Sequence, residues 1–204
     1  MKEFWNDRYS KPEYAYGTKP NAFFKQSLDT YKPKGSILLP AEGEGRNAIY
    51  AAKTGLNVFA FDISQEAKNK ALQLAKNNQV DINYQVGNLD TLNFKPNSFD
   101  VIGLVFAHFP PDIRSQYHKT FVKLLKPSGL IIMESFAKSN LKYREANPKI
   151  GGPGSLDRLF SKDIVKEDFN ALDPIVLKED EVTLNEGQFH VGTGKTIRFV
   201  GRKP

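Results

Sequence analysis

Four residues carry most of the chemistry that can be read from this chain: Gly43, Gly45, Asp62 and His108. The two glycines lie in Ala41-Glu42-Gly43-Glu44-Gly45-Arg46-Asn47-Ala48, directly after the apolar run Ser36-Ile37-Leu38-Leu39. A strand that turns sharply into a helix needs small residues at the turn. Gly43 and Gly45 allow backbone N–H groups to approach a ligand, and Ala48 keeps the helix close to the strand. Asp62, 17 residues after Gly45, ends a second apolar run, Leu56-Asn57-Val58-Phe59-Ala60-Phe61. A carboxylate in that position is placed to accept hydrogen bonds from ribose hydroxyls. Together these residues predict a site for a nucleoside-containing cofactor. His108 follows a third apolar run, at an edge where open α/β sheets bind ligands. It reads either as a substrate-orienting group or general base, or as a loop histidine at the pocket rim. His118 falls in mid-helix and His190 near the last turn, so both read as structural or exposed. Three scattered histidines do not form a metal site.

The elements that must position these residues alternate. The pattern predicts strands over 36–39, 56–61, 82–86, 99–106 and 130–136, with helices between them over 46–54, 64–77 and 111–125. Gly55 stops the first of these helices, Ser64 caps the second and Pro111 opens the third. The near-continuous apolar run over 99–106 is that of a buried parallel strand. A helix capped by Ser161 covers 162–169, and strands over 174–184 and 196–202 close the chain. With no helix between them, these last two strands can pair only as a hairpin, so the final strand is expected to run antiparallel. Gly192-Thr193-Gly194-Lys195-Thr196 imitates a phosphate loop, but a strand follows it and no helix; it reads as the hairpin turn. The fold class is therefore α/β: Rossmann-like, doubly wound, with a seven-stranded, mostly parallel sheet and an antiparallel C-terminal strand.

The 204 residues suit a single domain, 1–204. The absence of cysteine excludes disulfides and thiolate chemistry. The net charge of +6 comes from lysines and arginines interleaved with acids, which argues against a nucleic-acid groove. No signal-like start and no membrane-length apolar run is present, so a cytoplasmic location with no membrane partner is expected. Residues 1–35, with Trp5, Tyr9, Tyr14 and Tyr16, read as an aromatic lid segment. An aromatic face attracts a cation, and Tyr14 and Tyr16 are better placed for that than Trp5, which reads as an anchor. Residues 137–160, with Gly151-Gly152-Pro153-Gly154, read as a substrate loop. Glu134 and Phe136 end the fifth strand at the same rim. Arg144, with Lys138 and Arg158, offers positive charge to an anionic substrate. Arg46 can pair with a cofactor carboxylate or with Glu42 or Glu44.

The ordered set of glycine loop, Asp62 and the Leu124-Leu125-Lys126-Pro127-Ser128-Gly129 turn resembles the class I S-adenosylmethionine-dependent methyltransferases. Glu42-Gly43-Glu44-Gly45-Arg46-Asn47-Ala48, with Trp5-Asn6-Asp7-Arg8-Tyr9 and Tyr14-Ala15-Tyr16-Gly17, resembles the tellurite-resistance and thiopurine methyltransferase branch. The resemblance covers nearly the whole chain. It implies S-adenosyl-L-methionine as cofactor and a small-molecule acceptor such as a thiol or chalcogen oxyanion. By the same resemblance Ala41, Glu42, Gly43 and Gly45 face the methionine moiety, with Arg46 and Tyr16 beside it. Asp62 takes the ribose and Ile63 packs on the adenine. Asn88, where the family usually has Asp, and Leu89 meet the adenine edge, and Phe106 lies near the methyl group. Tyr14, Glu134, Phe136 and Arg144 fall to the substrate. Two departures stand out: Leu39 occupies a position that is often acidic, and Ala41 replaces the first glycine of the loop. Gly43-x-Gly45-x-x-Ala48 with Asp62 also fits an NAD(P)-dependent oxidoreductase, although no Tyr-x-x-x-Lys pair accompanies it. A third reading is a non-catalytic S-adenosylmethionine-binding protein.

Overall fold

The computed structural model describes residues 1–204. The strands are β1 (Ser36–Pro40), β2 (Asn57–Asp62), β3 (Asn83–Val86), β4 (Phe99–Val105), β5 (Leu125–Phe136), β6 (Asp173–Glu186) and β7 (His190–Arg202). They form one sheet in the order β3-β2-β1-β4-β5-β7-β6. Pairings among β1 to β5 are parallel, and β7 runs antiparallel to both β5 and β6. The helices are α1 (Lys2–Tyr9), α2 (Ala22–Tyr31), α3 (Arg46–Lys53), α4 (Gln65–Asn77), α5 (Pro111–Leu124), α6 (Asn140–Ala146) and α7 (Lys162–Asp168).

The sheet is buried on both faces, as parallel strands require. On one face Leu38, Ile102, Ile131 and Phe199 pack with Phe121 of α5 and Val165 of α7. On the other, Ile37, Leu39, Ile132 and Val200 pack with Phe24 of α2 and Ala48 of α3. Leu39 fills the space above Gly103, where a Cβ would come within 2.6 Å of the Leu39 side chain and 2.8 Å of Phe24. A carboxylate at position 39 would stand in this apolar layer. The strand order reverses between β1 and β4, which places a crevice at their carboxyl ends.

Three expectations fail. Residues 2–9 form helix α1, held against the start of α4 by Asn6, whose Oδ1 accepts from the Ser64 hydroxyl at 2.6 Å and from Gln65 N–H at 3.1 Å. That long-range capping leaves no mark in the local pattern. The hairpin strands are longer than expected, and the turn lies at Gly187-Gln188-Phe189. Gly192 to Thr196 is therefore inside β7, paired with Leu184 to Asp180. Its glycines are close-approach positions: a Cβ at Gly192 would meet Asn147 at 2.8 Å, and one at Gly194 would meet Asn140 at 2.7 Å. The 137–160 segment lies directly on that strand.

Candidate active site

The glycine loop and the end of β2 form one hydrogen-bonded unit. Asp62, 6% exposed, accepts from Gly43 N–H at 3.1 Å through Oδ2 and from Ser64 N–H at 3.0 Å through Oδ1. Burial raises its carboxyl to about 6, against the lowering effect of those two N–H groups. Glu42 caps α3 from inside the loop, one oxygen accepting from Asn47 N–H at 2.9 Å and Ala48 N–H at 2.8 Å. Burial raises its carboxyl too, to about 7. Gly43 has φ +63, and a Cβ there would stand 2.8 Å from the Tyr9 hydroxyl. Tyr9 in turn stacks on Trp5 at a ring separation of 5.4 Å, so α1 roofs the loop. Gly45 has a different reason for being glycine. At φ +89 its missing Cβ makes room for Ala71 of α4, 2.8 Å away. Ala41 also has a positive φ, +51.

The carboxyl ends of β4 and β5 are walled with rings. Phe106, at φ +51, stacks on Phe136 at 4.6 Å. His190 stands edge-on to both, 4.6 Å from Phe106 and 5.2 Å from Phe136, with Tyr16 at 4.5 Å on another side. The glycines of the 137–160 segment lie against these rings. A Cβ at Gly152 would meet Phe136 at 2.7 Å, and one at Gly151 would meet His190 at 2.6 Å. Both glycines have left-handed φ values, +82 and +86. His108 stacks on the far side of Phe136 at 5.9 Å. Its Nδ1–H donates to the Arg158 carbonyl at 3.2 Å, and its Nε2 is buried without a partner. Burial lowers its pKa to about 4.

The structure brings together Ala41, Glu42, Gly43, Asp62 and Ile63 on one side of the crevice, and Tyr16, Phe106 and Phe136 on the other. Asn88 is exposed at the end of β3, with its Oδ1 accepting from Thr91 N–H at 3.0 Å, and Leu89 beside it is buried. Arg46 corrects the expectation that it pairs with Glu42 or Glu44: its Nη2 lies 2.9 Å from Glu186. Glu44 instead accepts from Lys70 at 2.8 Å and Ala15 N–H at 2.7 Å. Tyr14 packs away from the crevice, among Ile49, Leu74 and Ala75. Glu134 is 1% exposed and already serves three donors, Asn21, Thr196 and Arg198. The Nε of Arg144 donates to the Gly152 carbonyl at 3.0 Å and pins the glycine segment. His118 is buried against Asp168 at 2.7 Å, away from the crevice.

Sequence reasoning missed Glu186, Asn21 and the placement of His190. Asn21 caps α2 and also donates to Glu134 at 2.6 Å and to Glu186 at 3.1 Å. Arg8 joins the two sides: its guanidinium lies 4.2 Å above Phe189 and 4.7 Å from Phe4, and it donates to the Tyr16 hydroxyl at 2.8 Å. A cavity of about 460 Å³ opens beside this junction, between residues 16–22 and the β6–β7 hairpin, with Glu134, Glu186 and Arg198 in its wall.

The fold is similar to the Rossmann-like fold of solved methyltransferase structures. A structure described under the conversion of a disulfide bond into a thioacetal group during echinomycin biosynthesis superposes with a TM-score of 0.79 at 15% identity, over all of this chain and 92% of that one. Magnesium protoporphyrin IX methyltransferase from Synechocystis, solved with S-adenosylhomocysteine bound, gives 0.70 at 15%, over all of this chain and 98% of that one. Residues 37–129 match the family described as a methyltransferase domain. By sequence it is 30% identical over 103 residues to thiocyanate methyltransferase 1 of Brassica oleracea, 49% of this chain and 46% of that one. The chain spans less than half the length of the curated relatives it matches, down to 36% for uncharacterised mycobacterial proteins. No helix is long and apolar enough to cross a membrane.

Proposed function

We propose that this protein transfers a methyl group from S-adenosylmethionine to a small-molecule acceptor. The observation that carries the reading is the Asp62–Gly43 unit at the carboxyl edge of a methyltransferase domain. A carboxylate has about four lone-pair positions, so after Gly43 and Ser64 are served Asp62 retains acceptors for two ribose hydroxyls. The missing Cβ of Gly43 keeps the loop open to the methionine end, with Tyr9 above it. Glu42 and Ala41 complete that wall, Ile63 and Leu89 bracket the adenine, and Asn88 meets its edge with the second lone pair of its carbonyl. When bound, the cofactor supplies an electrophilic methyl group on a sulfonium. Phe106 and Tyr16, with Phe136 packed behind Phe106, then line the approach, exclude water and favour the positive charge. The protein's main contribution is alignment of the acceptor at about 3–3.5 Å from that carbon. His108 stays neutral at pH 7 and acts as an orienting group, its ring fixed by the Arg158 carbonyl.

The finer reading, from the resemblance, is a thiol or chalcogen oxyanion as acceptor in a cytoplasmic reaction. Calorimetry with S-adenosylhomocysteine and with NAD tests the cofactor. Binding of the first and not the second is expected, and the reverse would replace the proposal with an oxidoreductase. Methyl release against thiols, chalcogen oxyanions, phenols and small amines then separates an enzyme from a binding protein.

A further inference from the structure

Among the side chains at the ends of β4, β5 and β7, one pair is assembled as an acid–base unit. Glu186 and His190 face each other across the β6–β7 turn, with Nδ1 3.0 Å from Oε2. Glu186 is ionised: burial would raise its carboxyl, but His190 and Arg46 hold it at about 2. A carboxylate only accepts, so the imidazole proton sits on Nδ1 and Nε2 carries the lone pair. That nitrogen makes no hydrogen bond within the protein, and Gly151 gives it room, since a Cβ there would come within 3.1 Å of it. The ring stands edge-on to Phe106 and Phe136, and Phe106 is the side chain that the proposed function puts on the approach to the methyl group.

Building on the methyltransferase reading, we propose that His190, oriented by Glu186, takes the proton from a planar aromatic acceptor whose nucleophilic oxygen or ring nitrogen is still protonated at neutral pH. Pre-ionised acceptors such as chalcogen oxyanions need no base, so a built carboxylate–imidazole pair argues for one that arrives with its proton. The wall favours a flat ring: Phe106 and Tyr16, both half-buried, are the rings beside His190, and the fully buried Phe136 backs them. In the step, a lone pair of the acceptor atom forms the new bond to the methyl carbon. The carbon–sulfonium bond breaks and its electron pair stays on sulfur. The acceptor's proton passes to Nε2, giving an imidazolium paired with the Glu186 carboxylate, and is later released to water. The charged and titratable groups facing the ring are Glu186, Arg46, Arg8, Tyr16 and His108. Burial lowers the His190 pKa, the Glu186 carboxylate opposes this, and Arg46 and Arg8 reinforce it, so the neutral base is the resting form.

The test uses the full chain saturated with S-adenosylhomocysteine and 4-nitrophenol as probe, whose absorbance reports its own ionisation. Failure of S-adenosylhomocysteine to bind would overturn the methyltransferase reading itself. With that binding in place, nitrogen-15 histidine NMR at pH 7 should show His190 neutral, protonated on Nδ1 and bare on Nε2. A proton on Nε2 would overturn the proposal without any variant. The bound probe should show a larger phenolate fraction than free probe at the same pH. The His190→Gln variant, with S-adenosylhomocysteine affinity unchanged as its folding control, should lose that excess and bind the probe about tenfold more weakly, as expected for one hydrogen bond to a charged group. No probe binding by the wild type, or the same phenolate excess in the variant, would overturn it.

Discussion

The two sides of the crevice are built on different principles. The side at β1 and β2 is local: Glu42 serves Asn47 and Ala48, and Asp62 serves Gly43 and Ser64, all between residues 42 and 64. The side at β4, β5 and β7 is assembled from distant pieces: Tyr16, Phe106, Phe136, Gly151 and His190 meet only in three dimensions. The local side leaves its carboxylates under-compensated, so Glu42 and Asp62 are raised. The assembled side over-compensates its carboxylate, so Glu186 is lowered. Under the proposed function the first arrangement would hold the cofactor, which many reactions share, and the second would meet the acceptor, which is peculiar to one.

The comparison can be broken at its strongest point by Phe136→Ala. Phe136 is fully buried, and its loss should cost about 3–5 kcal/mol in chemical denaturation. S-adenosylhomocysteine affinity at a temperature where the variant is folded should be unchanged; a parallel loss of affinity would mean that the two sides are one unit. Asp62→Ala should weaken S-adenosylhomocysteine binding about 100-fold by calorimetry, because two hydrogen bonds to a charged group and the brace on Gly43 are lost together. Unchanged affinity would remove Asp62 from the ribose.

The electrostatic contrast is sharpened by Glu42→Gln. With a folded pKa of about 7 above an ordinary 4.5, the stabilisation that proton binding to Glu42 gives the fold is fully present below 4.5 and lost as pH rises through 7. The variant should therefore gain stability relative to wild type by on the order of 1–3 kcal/mol between pH 4.5 and pH 8 in urea titrations of the ligand-free protein. A constant difference across that window would mean that the carboxyl is not raised. The smallest effect belongs to Tyr14→Phe. Its hydroxyl makes one 3.4 Å contact with the Lys70 carbonyl on the outer face of α4, so stability should change by less than about 0.5 kcal/mol and cofactor affinity not at all.

The same contrast explains what could be read in the chain before folding. The parallel strands, the loop and Asp62 announce themselves because strand, turn and helix follow one another directly, and each link has its own residue signature. Arg46 is harder: glutamates two and four residues away offer obvious partners, yet its real one lies 140 residues on in Glu186. Gly45 is legible as a glycine position but not in its cause, which is the approach of Ala71 from another helix. His190 hides for the same reason. Next to a polar turn it looks like surface, and only the hairpin's register and the return of Gly151 bury it at 5% exposure. Gly192 and Gly194 imitate a turn because strand glycines usually mark one, whereas here they admit the 137–160 segment.

The stacking of Trp5 on Tyr9 has a practical corollary. Trp5 is the chain's sole tryptophan, and the ring it rests on has its hydroxyl over Gly43. The molecule thus carries a built-in fluorophore one ring removed from its glycine loop, on the helix that roofs it. Its emission can be followed in a cuvette without any label, which makes it a timing device for how fast the roof responds to occupancy.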